Sequence, residues 1–341
     1  MDREEYDYII CGGGTSGCVV AARLAAANPS LNILLVEAGA HNKELENVHM
    51  VGGWSKNFGG PEDWNIVTEP TAGIDNRQVK VSRGRFLGGS SGVNGTLCIR
   101  GAKQDYDDWN LPGWSGEEFF AAMRKSETFH NKPWFKPADG AHGTDGPLHI
   151  EPHDLAPISK LLLESFQSQG MPLDHDMFTT GETAHGCGHA TRTHYKGLRT
   201  TGADFVTNDQ QKDNIEILVN TVVDKINFDD AKGELRAVSV DLMGPDGTRK
   251  TARAKNEIIV SGGAYCSPPI LMRSGIGNKE ELEKHNIKCL VDSPGVGQNL
   301  LDHLVTLPSI FANTYDLELI LQRSFLPFMR LKRRASQMVS F

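Results

Sequence analysis

Two short apolar runs with a helical stretch between them open the chain. Tyr6-Asp7-Tyr8-Ile9-Ile10-Cys11 predicts a buried strand, Cys18-Val19-Val20-Ala21-Ala22-Arg23-Leu24-Ala25 a helix of small residues, and Asn32-Ile33-Leu34-Leu35-Val36 a second strand. From residue 41 to about 71 the period fades into Gly, Asn and Trp, so an irregular excursion is expected. Residues 116–128 predict a helix with Phe119, Phe120 and Met123 on one face. Residues 158–169 predict another with Leu161, Leu162 and Phe166 turned inward, and residues 199–208 a third. Alternation then takes over at residues 215–219, 222–228 and 235–243, which reads as two or three antiparallel strands with a turn at Gly244-Pro245-Asp246-Gly247. A buried strand, Glu257-Ile258-Ile259-Val260, runs into Ser261-Gly262-Gly263, an ending that lets backbone approach a ligand. Strands and helices in this order predict an α/β fold.

The turn between the first strand and helix is Gly12-Gly13-Gly14-Thr15-Ser16-Gly17. Gly12 permits a tight turn, Gly14 lets the backbone reach a pyrophosphate, and Gly17 lets the helix pack closely. Thr15 and Ser16 open the helix, whose free N–H groups and positive dipole end face the phosphates. Glu37 follows 20 residues after Gly17, placed to accept hydrogen bonds from an adenosine ribose. A glycine triplet alone is weak evidence, but flanking strands and a spaced acid make this a dinucleotide-binding unit. It leaves NAD and FAD both open. The irregular stretch after Glu37 reads as a cover over the cofactor.

At 341 residues the chain is long enough for two domains. A formal net charge of -8 argues against a nucleic-acid partner. The six cysteines form no CxxC pair; Cys11 and Cys18 suit packing, and neither a metal site nor a disulfide framework is expected. His185, His189 and His194 invite a metal reading by spacing, but the Gly- and Thr-rich surroundings favour solvated loop histidines. No apolar run reaches membrane-spanning length and no signal peptide precedes the first strand, so a cytoplasmic protein without membrane association is expected, secreted or organellar if a leader is missing.

Two later blocks carry more specificity. They are Gly84-Arg85-Phe86-Leu87-Gly88-Gly89-Ser90-Ser91-Gly92-Val93-Asn94-Gly95 and Gly263-Ala264-Tyr265-Cys266-Ser267-Pro268-Pro269-Ile270-Leu271-Met272-Arg273-Ser274-Gly275-Ile276-Gly277. With Asp105-Tyr106-Asp107-Asp108-Trp109, Gly197-Leu198-Arg199 and Pro294-Gly295-Val296-Gly297-Gln298-Asn299-Leu300-Leu301-Asp302-His303, the chain to about His303 resembles the glucose–methanol–choline (GMC) oxidoreductases.

The resemblance implies a discontinuous Rossmann-like FAD-binding domain with an incomplete α+β substrate-binding domain. The FAD domain would comprise residues 1–38, 79–130 and 197–303, with 39–78 as the cover and 131–196 as substrate-domain insertion. Residues 304–341 would begin a further, truncated or aberrant, part. Arg85, Ser90, Asn94, Gly95, Thr96 and Leu97 would line the FAD, and the strand around Val223 would offer backbone to the adenine. Val93 stands where some members attach FAD through a His, so non-covalent FAD is expected. Cys98 replaces a usual aromatic, a packing role being expected of it.

The implied reaction is hydride transfer from an alcohol carbon to flavin N5, assisted by a His pair late in the sequence. No histidine follows His303, so no catalytic residue is assigned and robust turnover is not expected of this chain. A non-catalytic, truncated FAD-binding paralogue is the alternative; an NAD-dependent dehydrogenase would leave both later blocks unexplained. Choline, glucose, aryl and aliphatic alcohols are all open as substrates, oxygen and a quinone as electron acceptors, and the oligomeric state is undetermined.

Overall fold

The structure, a computed structural model, describes residues 3–207, 212–230 and 233–302. His303 and the 304–341 segment lie outside the described residues. Described residues up to Gln298 form one compact unit, and residues 299–302 belong to a second.

The main sheet comprises β1 (Glu5–Cys11), β2 (Ile33–Val36), β3 (Ile215–Leu218), β4 (Val222–Asp229), β5 (Arg236–Met243) and β6 (Arg249–Val260), in the order β3-β2-β1-β6-β5-β4. One half is parallel: β2 and β6 flank β1, and β3 extends the sheet beyond β2. The other half is an antiparallel meander of β4, β5 and the first half of β6. Thus β6 belongs to both halves, pairing Ser239–Met243 at its start and Tyr8–Cys11 at its end.

The alternating segments at 222–228 and 235–243 are antiparallel as expected. The 215–219 segment is not: it pairs parallel with β2, Ile215 against Ile33 and Leu218 against Val36. Alternation reports a half-buried strand and is silent about its partner. Only residues 219–221 separate β3 from β4, although they occupy opposite edges of the sheet. Three linking residues span at most about 14 Å, so the meander must turn over the ends of β1 and β2. Backbone bonds hold the link there, Asn220 N–H to the Gly39 carbonyl (2.7 Å) and Thr221 N–H to that of Glu37 (2.9 Å).

Helix α1 (Thr15–Ala27) packs on one face of the sheet through Gly17, Cys18, Ala21, Ala22 and Ala25, side chains small enough for close approach to Ile10, Ile33 and Leu35. The opposite face buries Tyr6, Ile9, Leu34, Val36, Val240, Leu242 and Ile270. Residues 41–71 are irregular as expected, with 3-10 turns at Asn42–Glu44 and Val51–Asn57 and the first strand of a small hairpin, Ile66–Val67 with Lys80–Val81.

A second sheet has the order Leu97–Cys98, Thr191–Arg192, Leu148–Pro152, Glu127–Phe129. Helix α2 (Gly116–Ser126) begins at a Ser115–Glu118 capping box and buries Phe120, matching its expected face. Helix α3 (Ser159–Ser168) forms where its stripe predicts, yet none of its residues is buried and Phe166 is 39% exposed. The inward reading is therefore corrected for Phe166, while Leu161 and Leu162 are half-buried; an apolar stripe names a face without naming what covers it. The helix expected at 199–208 is also replaced. Leu198–Arg199 is a strand, and Thr201 then caps a single 3-10 turn, Gly202–Phe205, through a reciprocal bond with Asp204.

The three histidines do not converge. His185 is exposed and His189 packs against Trp134 (4.9 Å). His194 lies buried in strand His194–Tyr195 with Nδ1 3.0 Å from Glu151 Oε1, so its solvated-loop reading was wrong. Among the described residues no group of three His, Cys, Asp or Glu is placed to hold a metal, and no helix is long and apolar enough to cross a membrane. All six cysteines are free.

Candidate functional site

The strand ends, the two glycine motifs and the meander enclose a cleft of about 890 Å³, well within the usual range of small-molecule and cofactor sites. It lies outside the carboxyl ends of β1, β2 and β6, where open α/β sheets bind their ligands. Cys11, Gly12, Gly14, Thr15 and Ser16 form its floor, Glu37 and Ala38 one side, and Thr221, Val222 and Val223 the overhanging wall.

Each glycine of the opening turn has a different constraint. Gly12 has φ +113°, and a Cβ there would meet the Ser261 carbonyl oxygen at 2.6 Å. At Gly17 a Cβ would meet the Gly12 oxygen at 1.9 Å, so the close approach is of helix to turn. A Cβ at Gly14 would have nothing within 4 Å: it would stand in the cleft itself. The second motif packs directly on the first, Gly89 against the Gly14 backbone, with Gly88 N–H donating to the Gly13 carbonyl (2.8 Å). Ser91 Oγ donates to the Gly88 carbonyl (2.6 Å) and accepts from Gly202 N–H (2.9 Å), which joins the 202–205 turn to both.

Glu37 is 6% exposed, and its two oxygens accept from Gly13 N–H (3.0 Å) and Gly39 N–H (2.9 Å). It braces the turn while lining the cleft, a role that its spacing alone did not reveal. Burial raises its carboxyl above the ordinary range, although the backbone bonds from Gly39 and Gly13 oppose the shift. Carboxylate oxygens carry further lone pairs, so a ligand hydroxyl can still be received. Burial also pushes the Cys11 thiol up to about 12 and raises Cys266, at the cleft edge, which makes both poor nucleophiles.

A second helix, α4 (Gly263–Arg273), starts at the cleft, with Ser261 to Cys266 lining it. Ser261 Oγ donates to the Gly12 carbonyl (2.9 Å), tying this start to the first turn. Two helix N-termini therefore converge on one elongated cavity, an arrangement suited to a diphosphate.

Of the residues singled out by sequence, Gly12, Gly14, Thr15, Ser16, Glu37, Ser90 and Val223 line the cleft, and Gly17 lies directly behind it. Arg85, Asn94, Gly95, Thr96 and Leu97 are not among the lining residues. The Arg85 guanidinium stacks 5.4 Å from the ring of Trp64, which does line the cleft. Asn94 Oδ1 accepts from Thr96 N–H (3.0 Å) and from Arg199 Nη1 (2.8 Å) and so shapes its own loop. Sequence reasoning missed Trp64, Arg83, Tyr265 and Arg273. Arg83 sits over the Tyr265 ring at 4.8 Å, and Arg273 donates to the Val223 and Asp224 carbonyls (3.3 and 2.7 Å). The glycine motif that begins at Gly84 was the signal for Arg83, and Tyr265 and Arg273 stand inside the block at 263–277; nothing local marks Trp64.

Strand ends, interlocked glycine turns and paired helix starts define a dinucleotide-binding α/β protein. A family model described as GMC oxidoreductase matches residues 6–305, and the chain belongs to that family. It is 32% identical over 312 residues to an alcohol oxidase of Candida boidinii (88% of this chain, 46% of that protein) and 34% identical over 320 residues to a mitochondrial choline dehydrogenase of Mus musculus (89% and 51%). A formate oxidase from Aspergillus oryzae superposes with a TM-score of 0.81 at 32% identity, over 89% of this chain and 53% of that one. A pyridoxine 4-oxidase from Mesorbium loti gives 0.75 at 30%, over 85% and 55%. The chain spans about half the length of the curated relatives it matches. FAD is the family's dinucleotide, and the cleft accommodates it: Gly14 opens onto the cavity, and both helix starts offer N–H groups beside it.

Proposed function

We propose that this chain is the FAD-holding portion of an oxidoreductase that acts on the CH–OH group of a small alcohol. Gly14, Thr15 and Ser16 present backbone N–H groups to the pyrophosphate, Gly12 makes the tight turn beneath them with its own N–H bonded to the Val36 carbonyl, and Gly17 keeps α1 close. Glu37 receives the ribose hydroxyls while holding the turn, and the backbone around Val223 meets the adenine. Ser90 lies further along the cleft, with the Asn94, Gly95, Thr96 and Leu97 loop beyond it. Arg85 acts through Trp64. When bound, FAD supplies a hydride acceptor for the alcohol carbon.

Residues 1–38, 79–130 and 197–303 form the FAD-binding part, 39–78 its cover and 131–196 a substrate-domain insertion. Support for this division comes from the cleft, whose lining is drawn from the first three stretches and from Trp64 of the cover. FAD is held non-covalently: Val93 has no nucleophile and is buried with Val48 and Phe86. None of the described cleft residues is a histidine, so the family's His pair is assigned to no position here.

The observation that carries this reading is the contact of Gly14 with Gly89 at the cleft floor, which joins two separate family motifs in one cofactor cradle. Anaerobic mixing of the FAD-loaded protein with a panel of primary alcohols tests it. Slow loss of flavin absorbance, far below ordinary enzymatic rates, with aldehyde formed in equal amount is expected, because no catalytic histidine is assigned here; oxygen or a quinone is the eventual acceptor. Reduction by NADH and by none of the alcohols would overturn it.

A further inference from the structure

Arg199 is 3% exposed, yet it faces no carboxylate among the described residues. Nη1 donates to the carbonyls of Ser91 (3.3 Å) and Asn94 (2.9 Å) and to Asn94 Oδ1 (2.8 Å), and Nη2 to the Val51 carbonyl (3.4 Å). Nε has no partner. A buried guanidinium is ordinarily paired with an anion, because desolvating an unpaired charge costs several kcal/mol. Burial accordingly pulls its pKa down.

The loop it grips also needs holding. Thr96 is fully buried with φ +63°, a strained conformation that a β-branched residue rarely adopts. On the other side of the loop Arg192 donates to the Gly95 carbonyl (2.8 Å) and Thr96 Oγ1 (3.3 Å).

Where this loop lies follows from the dinucleotide geometry. Adenosine belongs at Glu37 and the pyrophosphate at the start of α1. The other half of the cofactor must then leave past Gly89 and Ser90, and the next residue, Ser91, is bonded to Arg199.

We propose that Arg199 is a positioning residue that fixes the 91–96 loop, and that its uncompensated charge makes this end of the cleft electropositive toward a cofactor that gains negative charge on reduction. The inference rests on the FAD reading above. Uptake of two electrons and one proton leaves the flavin one unit more negative, so a nearby buried cation favours the reduced form.

The test is the midpoint potential of bound FAD, set against a reference dye, together with FAD affinity, in the native protein and in Arg199→Lys, Arg199→Met and Arg199→Gln. Both neutral variants should shift the oxidised-to-reduced ratio at fixed potential at least tenfold toward the oxidised form, a lowering of about 30 mV for a two-electron couple. Arg199→Lys should stay within threefold of native in that ratio while binding FAD more weakly, since it loses the fork to Asn94 and Val51. Arg199→Gln keeps an amide donor for the loop and serves if Arg199→Met does not fold. An unchanged potential in a neutral variant that retains FAD would overturn the electrostatic role, as would an equal shift in Arg199→Lys. A native chain that takes up no FAD would instead overturn the cofactor reading itself.

Discussion

Gly17 and Gly14 lie in one turn but face opposite directions, so alanine at each should fail in a different way. At Gly17 a Cβ would lie 1.9 Å from the Gly12 oxygen, roughly 1.5 Å short of the 3.4 Å at which ordinary contact begins. It would also meet Ser261 Oγ at 2.8 Å. The Gly12 carbonyl cannot retreat freely, because it accepts the Ser261 hydroxyl and its residue donates N–H to the Val36 carbonyl. Overpacking of this kind costs about 1–3 kcal/mol, here at the upper end, offset by about 1 kcal/mol of helix propensity gained over glycine. The net loss is about 2 kcal/mol, which lowers the melting temperature by about 4–8 °C. Gly14 has φ -75° and ψ -165°, open to any residue, and its Cβ would meet nothing. Gly14→Ala should therefore unfold within about 0.5 kcal/mol of native while losing at least tenfold in FAD affinity, about 1.4 kcal/mol. Urea denaturation and quenching of FAD fluorescence separate the two effects. A Gly17→Ala protein as stable as native, or a Gly14→Ala protein that binds FAD normally, would refute the assignment of these two glycines.

Further predictions concern buried charge and thiols. Glu127 pairs with Arg100 at 2.8 Å, both almost fully buried, so Glu127→Ala should cost about 3–5 kcal/mol in urea denaturation by stranding the guanidinium. His142 sits between Glu127 (3.0 Å) and Asp176 (3.2 Å), and only its doubly protonated ring donates to both. Burial lowers its pKa, but the bonds to Asp176 and Glu127 outweigh that and leave it above 6.5. Its stabilisation is thus fully present below the unfolded value of about 6.5 and is lost as pH rises through the raised folded value. His142→Gln should flatten that slope in pH-dependent unfolding. Cys98, pushed up to about 11 by burial, and Cys11 should resist a thiol-labelling reagent at neutral pH until the protein unfolds. Cys266, at the cleft edge, should label slowly and be protected by FAD; equal labelling with and without FAD would count against the site.

Local chemistry made part of this molecule legible in its sequence. The opening strand, glycine turn and helix were readable because each glycine answers a constraint within a few residues or across one strand pair. The α2 start was readable because Ser115 and Glu118 satisfy each other locally. What failed depends on distant partners. The 215–219 segment alternates whichever strand it joins, and its parallel place beside β2 is fixed by the 219–221 link to Gly39 and Glu37. The α3 stripe was visible, but not its exposure. His194 looked like a loop residue until Glu151, 43 positions earlier, came to face it. Arg199 belonged to a recognisable block, yet its bonds to Ser91 and Asn94 cross more than 100 residues. Glu37 was singled out by its spacing as a candidate ribose acceptor, while its bonds to Gly13 and Gly39 required the folded turn.

The central claim is that this cleft holds FAD without a covalent bond. Absorbance of the purified protein, followed by acid precipitation and identification of any chromophore released, tests it most directly. The account predicts flavin bands near one per chain, with intact FAD recovered entirely in the supernatant. A protein that folds yet takes up no FAD, or flavin that stays with the precipitated chain, would contradict it.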